Sequence, residues 1–259
     1  MGLKKHIPNA ITSMNLVFGV LGVISVVGDA DLQMGAVFLL CASVCDFLDG
    51  LAARLLHAQS VIGADLDSLS DMVSFGVLPS MTLLQAMRLS GGNALLSYIT
   101  IALAVFSALR LAKFNNDPRQ QSSFIGLPTT AVAIICASFG YWLQSTGYSG
   151  TLARLAGSLW FIPAVTALMC FLLVCEIPMF SIKIGAAQKQ TTLLKIKRTA
   201  FISISAIMCI VTAVLGLNFS AAVLFVFLSY VLVNVAMCGC RDDVPATEER
   251  KKEEGTPTE

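Results

Sequence analysis

Long apolar runs with very few charges constrain the fold of this chain more than any other feature. Of its 259 residues, 56% are hydrophobic and only 13% are charged, and the mean hydropathy is +0.79. Soluble domains carry roughly 25% charged residues, which they need to cover a surface that faces water. The composition therefore excludes a soluble globular enzyme, a disordered protein and a nucleic-acid-binding protein with a basic face.

Eight of these runs approach the length of about 20 residues that a membrane-spanning helix needs. Backbone polar groups must be hydrogen-bonded within lipid, so each run is predicted to be helical. The predicted spans are Ala10–Val27, Gln33–Leu55, Ile62–Ala86, Ala94–Lys113, Leu127–Gln144, Ser158–Cys175, Thr199–Leu217 and Phe219–Met237. We expect an all-α polytopic membrane protein with one membrane-embedded domain, residues 1–240. In residues 241–259, 11 of 19 residues are charged, which predicts a disordered cytoplasmic tail.

The basic residues predict the orientation of the chain. All lysines and arginines except Arg88 and Arg154 fall on one side of the predicted spans. Positive residues accumulate on the cytoplasmic side, so both termini should be cytoplasmic in a multi-pass protein of the cell membrane. The first run follows two lysines and resembles a signal peptide. However, Asn9, Thr12 and Asn15 place a polar stripe on one helix face, which is typical of a retained helix that faces a polar site.

Five aspartates fall within 26 residues, at the cytoplasmic ends of the second and third predicted helices: Asp46, Asp49, Asp65, Asp67 and Asp71. An ionised carboxylate within a membrane costs about 2.5–3.5 kcal/mol, unless cations or water offset that cost. Asp46 and Asp49 share a helix face, as do Asp67 and Asp71. Asp65 is out of phase and is expected to be solvated. Antiparallel packing at Gly50, Ala53 and Gly63 would bring the four in-phase carboxylates to one point.

Four converging carboxylates predict a site for hard divalent cations such as Mg²⁺, Mn²⁺ or Ca²⁺. Two such ions about 3.5–4 Å apart form the usual clamp for phosphoryl transfer. The spacing alone leaves two alternatives open. Membrane carboxylates also line cation or proton pathways in transporters, and they can be structural charges at helix ends.

The segment Asp46–Arg54, eight further residues and Gly63–Asp71 together resemble the CDP-alcohol phosphotransferase signature, D-x2-D-G-x2-A-R-x8-G-x3-D-x3-D. All eight fixed positions match with the right gaps. The resemblance implies transfer of a substituted phosphate from a CDP-linked donor to an alcohol, with release of CMP. It implies two divalent metals held by Asp46, Asp49, Asp67 and Asp71, with Asp71 also the general base. It implies a CDP site at Asp49, Gly50, Ala53, Arg54 and Gly63.

Four flanking segments resemble one branch of that family, the CDP-diacylglycerol–serine O-phosphatidyltransferases. They are residues 7–16, 66–79, 110–115 and 124–128. The resemblance implies CDP-diacylglycerol and L-serine as substrates, with phosphatidylserine and CMP as products. It also implies acceptor or phosphate contacts from Arg110, Lys113, Asn115 and Ser74, and Lys113 stands where arginine is frequent in this branch.

Other readings of the same resemblance stay open. Glycerol 3-phosphate or inositol could replace serine, and an ether lipid could replace the diacyl donor. By family analogy we expect a homodimer in the lipid bilayer, without a nucleic-acid partner. A cation transporter is the alternative from a different class.

Overall fold

The computed structural model describes residues 6–58, 60–116, 124–175, 178–179 and 192–236. It confirms the predicted all-α class, since ten α-helices account for most of these residues. The predicted tail, residues 241–259, lies outside the described residues.

The helices follow one another with short connections. They are α1 (His6–Gly28), α2 (Leu32–Leu55), α3 (Val61–Asp71), α4 (Leu78–Leu89), α5 (Ile101–Asn116), α6 (Thr129–Ser145), α7 (Gly150–Ala156), α8 (Phe161–Val174), α9 (Thr192–Val214) and α10 (Phe219–Ala236). A π-helical turn, Met72–Val77, joins α3 to α4, and a 3₁₀ helix, Leu96–Thr100, leads into α5. Two short strands, β1 (Phe124–Ile125) and β2 (Pro178–Met179), pair antiparallel.

Several of these helices can cross a membrane, which makes the chain a multi-pass membrane protein. Five helical segments of the described residues are long and apolar enough: α1, α2, the continuous segment Val61–Leu89, Leu96–Asn116 and α10. A sixth is possible if α7 and α8, which are bent by 69° at their junction, form one span. The predicted number of eight spans is not confirmed.

The buried core lies between α2, α4, α6, α8 and α10, and large aliphatic side chains such as Leu39, Leu83 and Leu143 fill it. Many other large apolar side chains point outward; Leu40 is 57% exposed and Phe171 is 64% exposed. In water such a surface would be unfavourable, but lipid chains are as apolar as leucine. The exposed face is therefore the face expected of a protein surrounded by lipid.

Helix α1 packs closely against α2 and against the α3–π–α4 segment. Small residues make this approach possible, as is common between membrane helices. A Cβ on Gly35 of α2 would overlap the Val26 side chain, and a Cβ on Gly19 of α1 would overlap the Ser74 side chain in the π-helical turn. The closeness of α1 to both neighbours is what positions the site described below.

We expect Gly19→Ala to destabilise the protein, because the added methyl would also meet the Ser74 backbone Cα at 3.1 Å. Overpacking of this kind costs about 1–3 kcal/mol, which thermal unfolding in detergent would register as a lower Tm. Gly28→Ala, in the same helix, is the matched control, since its Cβ would meet only the Ile24 side chain at 4.0 Å. Equal Tm values for the two variants would contradict the packing described here.

Candidate active site

Helix α1 carries polar side chains toward the carboxylates of α2 and α3, as its three-residue polar stripe predicted. Asn9 and Thr12 line a pocket together with Asp49 and Asp67. One turn further along α1, the Asn15 amide donates a hydrogen bond to Asp71 over 3.2 Å. The Ser70 hydroxyl donates to the Thr12 carbonyl over 3.2 Å and ties α3 to α1. Thus α1 contributes to the site although it lies outside the aspartate-rich segment.

Three of the four in-phase carboxylates converge. One carboxylate oxygen each from Asp46, Asp49 and Asp67 lies within 4.8 Å of the other two. Their spacing on α2 makes Asp46 and Asp49 neighbours on one helix face, and α3 supplies Asp67 from the opposite side. We call Asp46, Asp49 and Asp67 the carboxylate trio.

The predicted helix contact at Gly50, Ala53 and Gly63 is wrong. These three residues instead line a pocket of about 270 Å³ between α2 and α3, and a Cβ on Gly50 would meet nothing within 4 Å. The two helices come together because α1 packs against both of them. The small residues therefore leave space at the carboxylates instead of closing it.

The carboxylate trio fits a divalent cation. Oxygens that share one Mg²⁺ at about 2.0–2.1 Å lie roughly 3–4 Å apart, so small side-chain movements would bring the trio into range. Asp49 Oδ2 and Asp67 Oδ1 are buried and have no hydrogen-bond partner among the described residues. Buried charged oxygens without a partner are costly, and a bound cation would remove that cost. Divalent-metal use is a feature of the family reported below, and these residues fit it.

Asp71 lies outside the trio, although the sequence predicted that all four carboxylates would converge. It is half-buried one turn beyond Asp67 on α3 and remains close enough to interact electrostatically with each member of the trio. Its Oδ1 accepts the hydrogen bond from Asn15. The site thus contains a group of three carboxylates and a fourth that is held by a neutral amide.

The pocket contains most of the residues predicted to contact CDP. Its lining is made of small and polar residues: Pro8, Asn9, Thr12, Asp49, Gly50, Ala53, Ala58, Ser60, Gly63, Ala64 and Asp67. Arg54 is exposed and its Nε donates to the Gly50 carbonyl over 2.9 Å, so it lies beside this lining and not within it. A narrow space bordered by small side chains allows a planar ligand to approach the backbone closely.

Of the four acceptor-site candidates, Arg110 interacts electrostatically with a site carboxylate, Asp71. Its side chain is buried, and its Nε has no hydrogen-bond partner in the part of the chain that the structure describes. Lys113 is half-buried one turn further along α5. Asn115 is exposed and donates to the Ser68 hydroxyl over 2.8 Å. A buried arginine next to a carboxylate can bind an anionic or zwitterionic ligand.

Ser74 is fully buried against α1, where its hydroxyl donates to Asn15 Oδ1 over 2.7 Å. It therefore contacts the site through Asn15 and does not line the pocket. Asp65 is exposed and outside the trio, as predicted. The sequence did not predict that Ala58 and Ser60 would line the pocket, because the turn between α2 and α3 has no periodicity that could reveal it. It also did not predict Ala64, which lies on α3.

Comparison with known proteins agrees with this arrangement. The family model described as CDP-alcohol phosphatidyltransferase matches residues 5–162. A Bacillus subtilis protein named CDP-diacylglycerol–serine O-phosphatidyltransferase is 34% identical over 142 residues, which is 52% of this chain and 77% of that protein. A protein of the same name from Methanocaldococcus jannaschii is 34% identical over 59% of this chain and 69% of that protein. One from Helicobacter pylori J99 is 30% identical over 49% of this chain and 54% of that protein.

We expect Asp67→Asn to weaken Mn²⁺ binding by at least about 10- to 100-fold, because the variant removes one of three converging negative charges and a ligand oxygen. Mn²⁺ titration followed by electron paramagnetic resonance would measure the affinity of the detergent-solubilised protein. Asp65→Asn is the matched control, since it removes an exposed carboxylate from the same helix. An equal loss of affinity in both variants would contradict a metal site at the trio.

Proposed function

The chain belongs to the CDP-alcohol phosphatidyltransferase family, and on this premise we propose that it transfers the phosphatidyl group of CDP-diacylglycerol to L-serine. The products are phosphatidylserine and CMP. The names of the relatives support the donor and the acceptor. One structural observation carries the chemistry: two carboxylates of the trio open into the pocket that Gly50, Ala53 and Gly63 line.

In this proposal the pocket receives the CDP part of the donor. Gly50, Ala53 and Gly63 let the nucleotide approach the backbone, and Asp49 lies at the same wall. A Cβ on Gly63 would come within 3.0 Å of Asn9 Oδ1, so glycine keeps the entrance between α1 and α3 open. Arg54, exposed beside the pocket, can contact the donor phosphates from outside.

Two divalent cations, Mg²⁺ or Mn²⁺ and alternatively Ca²⁺, are part of the proposal. The carboxylate trio would hold one cation, and Asp71 together with oxygens of the trio would hold the second. Such ions neutralise the pyrophosphate charge and stabilise the leaving CMP. The protein's contribution is to gather carboxylates that would otherwise repel one another.

Asp71 acts as the general base. The serine hydroxyl oxygen forms the new bond to the phosphorus that bears the diacylglycerol, and the hydroxyl proton passes to an Asp71 oxygen. The bond between that phosphorus and the oxygen of CMP breaks, and CMP leaves with the electron pair. A carboxylate contributes to such a step because the proton moves in the transition state. Arg110, buried beside Asp71, binds the serine carboxylate, with Lys113 and Asn115 as further candidates.

The location of the site suits substrates from two phases. The diacyl donor enters laterally from the bilayer and serine arrives from the cytoplasm, so they can meet only at the interface. We propose that the site and both termini face the cytoplasm at the cell membrane. Residues 1–240 would form the catalytic domain and residues 241–259 its tail, and by family analogy the protein would be a homodimer.

The proposal predicts CMP release when purified protein receives CDP-diacylglycerol, L-serine and Mg²⁺ or Mn²⁺. Asp71→Asn should retain donor binding but lose the proton acceptor, so turnover should fall by about 10²- to 10⁴-fold. Chromatography of CMP and phosphatidylserine would measure both products. Full activity in Asp71→Asn would contradict the role of this carboxylate.

Parallel reactions separate the alternatives. CMP release with glycerol 3-phosphate or inositol, and none with serine, would keep the family chemistry and overturn the acceptor. Replacing CDP-diacylglycerol by an ether-linked CDP donor tests which lipid donor the protein accepts. If no alcohol supports release, uptake of Mn²⁺ into protein-containing liposomes without a CDP-lipid would favour the transporter.

We expect Arg110→Gln to raise the KM for serine about 10-fold or more and to leave the KM for CDP-diacylglycerol within about twofold. The guanidinium charge near Asp71 is removed, whereas the pocket lining is unchanged. Steady-state kinetics with each substrate varied in turn measure the two constants. Arg88→Gln is the control, because Arg88 bonds to Ser97 and stacks over Tyr98 away from the trio. A selective rise in the KM for the donor would contradict this assignment.

A further inference from the structure

We propose that Asn15 is a positioning residue for Asp71 and that Ser74 fixes the orientation of the Asn15 amide. The three side chains form a relay, defined here as Ser74, Asn15 and Asp71, that joins the π-helical turn to α1 and α1 to the end of α3. The inference rests on the proposed function, in which Asp71 receives the proton of the acceptor hydroxyl.

The geometry of the relay is continuous. The Ser74 hydroxyl lies 2.7 Å from Asn15 Oδ1, and Asn15 Nδ2 lies 3.2 Å from Asp71 Oδ1. Ser74 and Asn15 are both fully buried, with no exposed surface. Water therefore does not compete for these groups.

The direction of the relay follows from the donors that each group possesses. A carboxylate can only accept, so the amide must turn its NH₂ end toward Asp71. The amide oxygen then points to Ser74, whose hydroxyl proton has two acceptors on Asn15, Oδ1 at 2.7 Å and the backbone carbonyl at 3.1 Å. If the amide were reversed, its oxygen would face the carboxylate, which offers no donor. Asp71 thus selects the amide orientation, and the shorter hydrogen bond from Ser74 to Asn15 Oδ1 holds the amide in it.

This hydrogen bond explains why Asp71 stands apart from the carboxylate trio. Asp67 and Asp71 share a face of α3, yet only Asp67 joins Asp46 and Asp49. Asn15 holds one oxygen of Asp71 on the α1 side and leaves the other oxygen for the second cation and the acceptor. The neutral amide orients the carboxylate by a hydrogen bond and does not neutralise its charge.

The close packing of α1 supports the relay. Gly19, one turn beyond Asn15, provides the space that the Ser74 side chain occupies. Ser74 itself belongs to the π-helical turn Met72–Val77, which begins immediately after Asp71. Such turns are frequent at functional sites, and here the turn presents a hydroxyl to the residue that holds the proposed base.

The test compares Asn15→Leu and Ser74→Ala with the wild type in the CMP-release assay, using whichever alcohol supports turnover. Asn15→Leu keeps the side-chain size and removes the donor, so we expect kcat to fall about 10- to 100-fold through misplacement of the base. Ser74→Ala leaves Asn15 Oδ1 without its donor, so the amide is held less firmly, and we expect a loss of about 3- to 10-fold. KM values for both substrates should stay within about twofold.

Two controls separate positioning from packing. Ser70→Ala removes a buried hydroxyl that donates to the Thr12 carbonyl of α1 and not to the Asp71 carboxylate, and its kcat should stay within twofold. In the Asp71→Asn background, Asn15→Leu should cause no further loss, because its effect acts through Asp71. A further loss of similar size in that background, or a wild-type kcat in Asn15→Leu, would overturn the proposal.

An infrared readout makes the outcome independent of catalysis. The difference spectrum between wild type and Asp71→Asn assigns the Asp71 carboxylate bands. These bands should shift in Asn15→Leu and in Ser74→Ala, and they should remain unchanged in Ser70→Ala. If the wild-type protein releases no CMP, the proposed function is refuted but the relay is not. If the Asp71 bands do not shift in Asn15→Leu and Ser74→Ala, the relay is refuted, whether or not the protein releases CMP.

Discussion

The cost of placing carboxylates beside an apolar, lipid-facing bundle is the constraint on which this structure depends. Each of these groups must find a cation, a hydrogen-bond donor or water, because lipid offers none of them. The protein meets part of this need with α1, whose Asn15 donates to Asp71 and whose Asn9 and Thr12 line the pocket beside Asp49 and Asp67. The tight packing of α1, made possible by glycines, is therefore a requirement of the site as much as of the fold.

Two kinds of small-residue position serve opposite purposes in this bundle. Gly19 and Gly35 lie where helices touch, and an added methyl at either would overlap a neighbouring side chain. Gly50 lies where a methyl would meet nothing within 4 Å, at the wall of the pocket. A glycine in a membrane helix therefore does not by itself indicate helix contact. Its role depends on whether a neighbouring helix, here α1, packs against it or leaves a pocket beside it.

The sequence predicted the parts of the fold that depend on local periodicity. The apolar runs predicted helices, the phase of the aspartates predicted that Asp49 and Asp67 would meet, and the polar stripe predicted that α1 faces the site. It failed where the outcome depends on helices distant in sequence. The separation of Asp71 from the trio follows from Asn15, 56 residues away, and no pattern within either helix encodes that contact. The pocket residues in the turn between α2 and α3, Ala58 and Ser60, were missed because that turn has no periodicity.

The distribution of buried polar side chains along α1 favours a closed catalytic site over a cation pathway through the membrane. Along the buried face of α1, polar side chains extend as far as Asn15, and the next buried polar side chain on this helix is Ser25, almost three turns further. The buried positions between them are Gly19 and Gly22, which pack against Ser74 and the fully buried Leu78. A cation leaving the trio in this direction would meet an amide and a hydroxyl that already bond each other, and then leucine. A conducting pathway needs polar groups or water beyond that point, whereas a catalytic site needs a closed end that holds its base in place.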